Sequence, residues 1–215
     1  MWVGDKMIPS REEMHDALVQ RQGAMITERF EKSCVVICGL GGLGSNIAIC
    51  LARAGIGKLI LIDFDVVDVS NLHRQQYRAS QVGMPKTVAL ARELAEIAPY
   101  IKIETHDVCM SVDNVQDLVK DGDVICEAFD DPQSKAMLVN TVLESFPKKT
   151  VVAASGMAGI GSADEIMTKH VMKHLYICGD EKSDVKDVGS LVASRVMVCA
   201  AKQAHIVLRI LAGEE

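Results

Sequence analysis

Gly39, Gly41 and Gly44 space a G-x-G-x-x-G turn, and the chain then places Asp63, Asp65, Asn71, Arg74 and Lys86 close behind it. Such a set can bind a nucleotide and act on its phosphates. Glycines let the backbone turn tightly and approach an anion, and a helix starting at the turn offers unpaired N–H groups. Gly42, inside the turn, belongs to the same cradle. Asp63 stands about 20 residues beyond, where an acid accepts hydrogen bonds from ribose hydroxyls. The loop "DFDVVDVSNLHRQQYRASQVGMPKT" then offers Asn71, Arg74, Gln75 and Lys86. Cations there suit a polyphosphate, whose charge must be neutralised during phosphoryl or nucleotidyl transfer. The plain alternative is a solvated loop with ordinary charges. NAD fits the glycine turn too, but no second domain is evident to set a hydride acceptor against a nicotinamide.

The turn follows the apolar run "CVVICGL", which reads as a buried strand, and opens an apolar helix from Gly42 to Ala54 closed by Gly55. "KLILIDF" is the next strand and delivers Asp63. "PKTVALARELAEIAP" reads as a helix with proline in its first turn, a favoured place for it. "IKIETHD", "DVICEAF" and "TVVAASG" read as strands, with helices over "NVQDLVKD" and "PQSKAMLVNTVLESF" between them. Strand–helix alternation with continuous apolar strands predicts an α/β, Rossmann-like, mostly parallel sheet covered on both faces. After Gly156 the polar–apolar alternation predicts antiparallel strands, followed by a long apolar helix from about Leu191 to Leu211. Ahead of the first strand, residues from about Ser10 to Glu31 form a helical arm that Gly23 interrupts.

One domain of 215 residues is the natural expectation. Its parts are an arm (1–33), a nucleotide-binding core (34–155) and an extension with the last helix (156–215). A formal net charge of −6 argues against generic nucleic-acid binding, whose footprint is a basic face. No secretory pattern and no apolar run of membrane-spanning length are present. The seven scattered cysteines include no Cys-x-x-Cys pair. They read as reduced thiols of a cytoplasmic protein, and no zinc is expected.

"GLGGLGS", "LIDFDVVDVSNLHRQ" and "VGMPK" together resemble the ThiF/MoeB/HesA family, kin of the ubiquitin-activating enzymes. The resemblance runs from about Arg21 to the C-terminus and is strongest between Val35 and Lys86. "VVAASGMAG" and "YICGD" look most like the compact ThiF branch, the sulfur-carrier adenylyltransferases of thiamine biosynthesis. The resemblance implies ATP and Mg²⁺ as cofactors. It implies, as partner, a small ubiquitin-like sulfur carrier ending in Gly-Gly, and a homodimer. Gly41 would approach the phosphates, Asp63 would hold the ribose, and Asn71, Arg74 and Lys86 would contact the triphosphate. Ser70 and Gln75 would shape the loop, and Asp65 would position that loop or the metal. In "CEAFDDPQSK", Asp130 takes the place of the family's magnesium-binding aspartate, and Asp131 stands where asparagine is common. Asp130 also reads plainly as a helix N-cap before Pro132. An arginine from the partner subunit's N-terminal segment is implied as well. Arg21 in "LVQRQGAM" is the candidate, with Arg11 and Arg29 as alternatives and a solvated helix face as the plain reading.

The chain departs from the family pattern at several points. The zinc-binding cysteine pairs are absent, and Lys135 stands where arginine is frequent. Cys178 lies near the region of a sulfur-transfer cysteine in some relatives, though acidic "GDEKSD" beside it would raise its pKa. Other readings stay open. They are activation of another target (a molybdopterin-type carrier, a peptide or a tRNA base), an NAD-binding oxidoreductase or sensor, and an inactive binding module.

Overall fold

The structure, a computed structural model, describes residues 8–215; the first seven residues of the expected arm lie outside the described part. A seven-stranded sheet is ordered β3-β2-β1-β4-β5-β7-β6. Its strands are β1 (Cys34–Cys38), β2 (Lys58–Asp63), β3 (Lys102–Asp107), β4 (Val124–Glu127), β5 (Thr150–Ala154), β6 (Met167–Met172) and β7 (Leu175–Gly179). The arm forms α1 (Arg11–Gln22) and α2 (Ala24–Lys32), separated at Gly23. Helix α3 (Gly42–Ala54) follows β1 and α4 (Lys86–Ile97) follows the long loop. The remaining helices are α5 (Val115–Val119), α6 (Pro132–Ser145), the single turn α7 (Val185–Val188) and α8 (Ala193–Ala212).

Alternation along the central strands supplies both faces of the sheet. Val35 and Ile37 of β1 join one apolar layer with Ile47 and Leu51 of α3, Leu90 of α4 and Cys199 and Val207 of α8. Val36 and Cys38 join the opposite layer with Leu138 and Val142 of α6. Full burial of a Leu or Ile side chain contributes about 1.5–3 kcal/mol, so two such layers hold the strand ends firmly in place.

The strand direction after Gly156 corrects the sequence reading in part. Only β6 runs antiparallel, on β7, whereas β7 itself lies parallel to β5. The reason is coverage. Cys178 of β7 packs beneath α8 with both neighbours present, while β6 takes the sheet edge with most of its residues exposed. Helix α4 also begins one residue later than expected, with Pro85 as its N-cap rather than in its first turn.

Helix α1 has no buried residue. Polar links add to the half-buried contacts of Met14, Leu18 and Val19. The Arg11 guanidinium donates to the Tyr100 carbonyl at 3.2 Å, and the Tyr100 hydroxyl donates to the Pro9 carbonyl at 2.8 Å. His15 meets Glu31 at 2.8 Å. No helix among the described residues is long and apolar enough to cross a membrane.

Candidate active site

At the carboxyl ends of β1, β2, β4 and β5 lies a cavity of about 480 Å³. Ligands of open α/β sheets bind in this kind of crevice. Gly39, Gly41 and Gly42 form one wall; Asp63, Asp65, Asn71, Arg74, Gln75 and Lys86 form a second; Asp130 belongs to a third. Three predicted residues stand apart. Gly44 is a packing glycine, since a Cβ there would sit 1.8 Å from the Gly39 carbonyl oxygen. The Ser70 hydroxyl turns away to donate to Asp68 at 2.5 Å. Arg21 lines a different cavity, beside Cys34, Lys58 and Lys102 at the opposite ends of the strands.

The turn is built for close approach. Gly39 has φ +90°, and a Cβ on it would meet the Ala128 carbonyl oxygen at 2.8 Å, so only glycine fits. Gly41 caps α3 with no side-chain hydrogen bond, leaving first-turn N–H groups free for an anion. Asp63, buried at the end of β2, accepts the Leu40 N–H at 2.6 Å and the Asp65 N–H at 2.8 Å, one on each oxygen. Each oxygen keeps a second lone pair for a ribose hydroxyl.

The loop after β2 holds the cations in place. Lys86 is 5% exposed, and its ammonium lies 2.7 Å from Asp65 and 3.9 Å from Asp63. Asp65 thus positions Lys86. The Arg74 guanidinium donates to the Ser70 carbonyl at 3.2 Å, which folds it back along its own loop. Gln75 is buried beneath the turn, its Oε1 without a partner among the described residues. Asn71 points its Nδ2 at the Ser70 hydroxyl at 3.4 Å.

Asp130 is not the helix cap. Asp131 is, accepting the Ser134 N–H at 2.7 Å and the Ser134 hydroxyl at 2.8 Å. Pro132 fixes the first turn of α6 one residue later than the N-cap reading required, so Asp130 is left exposed with no hydrogen bond or ion pair among the described residues. Among those residues no three His, Cys, Asp or Glu side chains gather closely enough to hold a metal. One free carboxylate beside a phosphate cradle nevertheless suits Mg²⁺, which usually takes one or two carboxylates plus phosphate oxygens and water.

Beneath Asp130, sequence reasoning missed a buried ion pair. Glu127, at the end of β4, is 1% exposed and accepts from the Lys135 ammonium at 2.9 and 3.0 Å. Lys135 also donates to the Ala154 carbonyl at 3.2 Å, so all its protons are used. Burial pushes the Glu127 carboxyl up, and the Lys135 charge draws it back. Glu127 in turn accepts the Phe129 N–H at 2.7 Å, fixing the backbone that presents Asp130. An acid set inside the apolar run "VICEAF" was the available signal.

Cys178 is fully buried at 0% exposure, with the Thr168 hydroxyl 3.4 Å from its sulfur. Its pKa is raised by burial, against the pull of Thr168, and the acidic "GDEKSD" stretch named from the sequence is not the cause. Of the alternative arginines, Arg11 is engaged with Tyr100 and Arg29 donates to the Ala212 carbonyl.

Comparison with known proteins places these features in context. The sequence profile of the ThiF family matches residues 14–215. "Adenylyltransferase and sulfurtransferase UBA4" of Debaryomyces hansenii is 32% identical over 163 residues, 75% of this chain and 36% of that protein. "Adenylyltransferase and sulfurtransferase MOCS3" of Dictyostelium discoideum is 36% identical over 107 residues, 49% of this chain and 25% of that protein. The chain therefore spans about a third or less of the length of such relatives. Among solved structures, E. coli tRNA N6-threonylcarbamoyladenosine dehydratase, TcdA, in complex with ATP, superimposes with a TM-score of 0.85 at 21% identity, covering 97% of this chain and 98% of that one. That likeness shows the shared fold.

Proposed function

Because the chain belongs to the ThiF family, we propose that it is an adenylyltransferase that activates the C-terminal Gly-Gly carboxylate of a small ubiquitin-like sulfur carrier, of the kind used in thiamine biosynthesis. The observation that carries this reading is one cavity that joins the glycine turn, Asp63, Arg74, Lys86 and the free carboxylate of Asp130. "VVAASGMAG" and "YICGD", which resemble the compact branch, support the thiamine-type carrier over other targets. A net charge of −6 favours a protein partner over a nucleic acid. Seven free cysteines suit a reducing, cytoplasmic setting.

In the reaction a carboxylate oxygen of the carrier attacks the α-phosphorus of ATP. The bond from that phosphorus to the oxygen bridging the β-phosphate breaks, and pyrophosphate leaves. The carrier is left as an acyl-adenylate. Its carboxylate is already ionised at neutral pH, so no general base is required, and rate comes from positioning and charge neutralisation. Asp63 orients the ribose. The turn amides hold phosphate oxygens, and Arg74 and Lys86 face the charge that builds on the leaving pyrophosphate. Lys86 exchanges part of its bond to Asp65 for phosphate oxygens, so Asp65 keeps the ammonium aimed into the cavity before ATP arrives. Asp130 would hold Mg²⁺, which would supply charge neutralisation to the triphosphate. The "ASGMAGIG" segment beside the turn receives the carrier's tail. The working unit is a homodimer in which Arg21 of one copy reaches the other's triphosphate.

Calorimetric titration with Mg·ATP and with NAD separates this reading from a hydride-transfer enzyme. Mg·ATP is expected to bind and NAD to bind weakly; tighter binding of NAD would sink the assignment.

A further inference from the structure

Behind the wall of the cavity formed by Ser155, Gly156, Met157, Ala158 and Ser183 lies a second buried ion pair, outside the set just described. Arg195, near the start of α8, is 4% exposed. Its guanidinium donates to Asp180 at 2.5 Å and to the Ser162 carbonyl, with Glu165 at 3.7 Å. Asp180 shares the burial. It accepts the N–H groups of Lys182 and Ser183, both at 2.8 Å, and the Ser183 hydroxyl at 2.7 Å. That same hydroxyl accepts the Ala158 N–H at 2.9 Å. The chain Arg195–Asp180–Ser183–Ala158 thus runs unbroken from a helix of the core to the backbone of the cavity wall.

The neighbouring links converge on the same stretch. Asp180 N–H donates to the Gly156 carbonyl at 2.9 Å, Glu181 N–H to Ser155 at 3.0 Å, and Gly159 N–H to Ser190 at 2.9 Å. Two segments separated by more than 20 residues are tied into one surface, and Arg195 and Asp180 bring a buried pair of charged side chains into it. Neither Arg195 nor Asp180 hydrogen-bonds or pairs with Arg74 or Lys86, whose partners include Ser70, Asp63 and Asp65. The wall they set lines the same cavity as Asn71 and Arg74.

We infer that Arg195 and Asp180 are positioning residues for the acyl substrate: through Ser183 they fix the Ser155–Ala158 backbone against which the carrier's C-terminal tail lies, and they set tail affinity without touching ATP. The inference rests on the adenylation reading above. A misplaced wall moves the attacking carboxylate relative to the α-phosphorus, and small misplacements cost large factors in rate.

The test uses the whole chain with a peptide or carrier ending in Gly-Gly. Pyrophosphate exchange is measured against carrier concentration and, separately, against Mg·ATP concentration. Variants are Asp180→Asn and Arg195→Lys, with Ser183→Ala as a milder one that keeps the ion pair intact. Thermal unfolding confirms that each remains folded. The expected result is a rise in KM for the carrier of about tenfold or more, with KM for Mg·ATP unchanged. Ser183→Ala should move carrier KM in the same direction by less. If the wild type exchanges and folded variants show wild-type carrier KM, or lose ATP and carrier affinity together, the positioning role is overturned and the adenylation reading stands. If the wild type shows no carrier-dependent exchange at all, the adenylation reading fails and this inference fails with it.

Discussion

Single side chains carry sharply different expectations here. Arg74 and Lys86 line the cavity with the glycine turn, and under the proposed reaction removing either should cut carrier-dependent pyrophosphate exchange by about two orders of magnitude, equivalent to roughly 3 kcal/mol of lost transition-state stabilisation. Asp130→Ala should fail similarly and recover partly at high Mg²⁺, because one free carboxylate can be replaced by mass action. Exchange at the wild-type rate in all three variants would show the cavity to be the wrong site. Cys178 gives the opposite expectation. A sulfur relay needs an accessible thiolate with a lowered pKa, whereas Cys178 is buried and its thiol is pushed up. Cys178→Ser should exchange at close to the wild-type rate, and the native thiol should alkylate slowly. Rapid selective labelling of Cys178, with loss of thiocarboxylate formation in the serine variant, would make it the sulfur-handling residue instead.

At the scale of elements, two ion pairs besides that of Lys86 stand at strand ends on the cavity side, Glu127 with Lys135 at the end of β4 and Asp180 with Arg195 after β7. Lys135→Ala would leave the Glu127 carboxylate buried among apolar strands with no ammonium beside it. Breaking such a pair costs about 3 kcal/mol or more, so urea unfolding should show a loss of that order. The double change Glu127→Gln with Lys135→Met should recover most of it; equal loss in both would mean the pair contributes only packing. The Asp180 pair adds a pH dependence. Burial alone would push its carboxyl up, but the Ser183 and Lys182 N–H groups, the Ser183 hydroxyl and Arg195 hold it well below the ordinary carboxylate range. A carboxyl depressed in the folded state contributes stability that is fully present above its unfolded value, near pH 4, and lost as pH falls toward the folded value. The gap in melting temperature between wild type and Asp180→Asn should therefore hold from pH 7 to about 5 and shrink below about 4. A gap independent of pH would contradict the assignment.

Across the whole molecule, the same cavity was largely legible from residue order, and the reasons differ by region. The glycine turn, Asp63 and Lys86 could be placed because each sits at the end of a short regular element whose period is visible. Asp131 displaced Asp130 as the cap because a single-residue offset before Pro132 is invisible without backbone geometry. Glu127, Asp180 and Arg195 were missed because their pairing joins distant segments, and nothing local marks a charge as buried. The direction of β7 was missed because strand alternation reports exposure, not the neighbour chosen. Arg21 belongs to this scale as well, since it lies at the opposite ends of the strands from the cavity. Acting on ATP, it must do so in a second copy. Mixed dimers of Arg21→Ala and Lys86→Ala subunits should regain one working site; no recovery in verified mixed dimers would leave Arg21 a surface charge.

The adenylation claim itself meets its most direct test in the exchange of labelled pyrophosphate into ATP, driven by a carrier with a free Gly-Gly carboxylate and by the same carrier with that terminus amidated. Label should enter ATP with the free carboxylate only, and Mg²⁺ should be required. Exchange that is indifferent to the terminus, or absent with the free carboxylate while Mg·ATP still binds, would contradict attack by the carrier's C-terminus on the α-phosphorus.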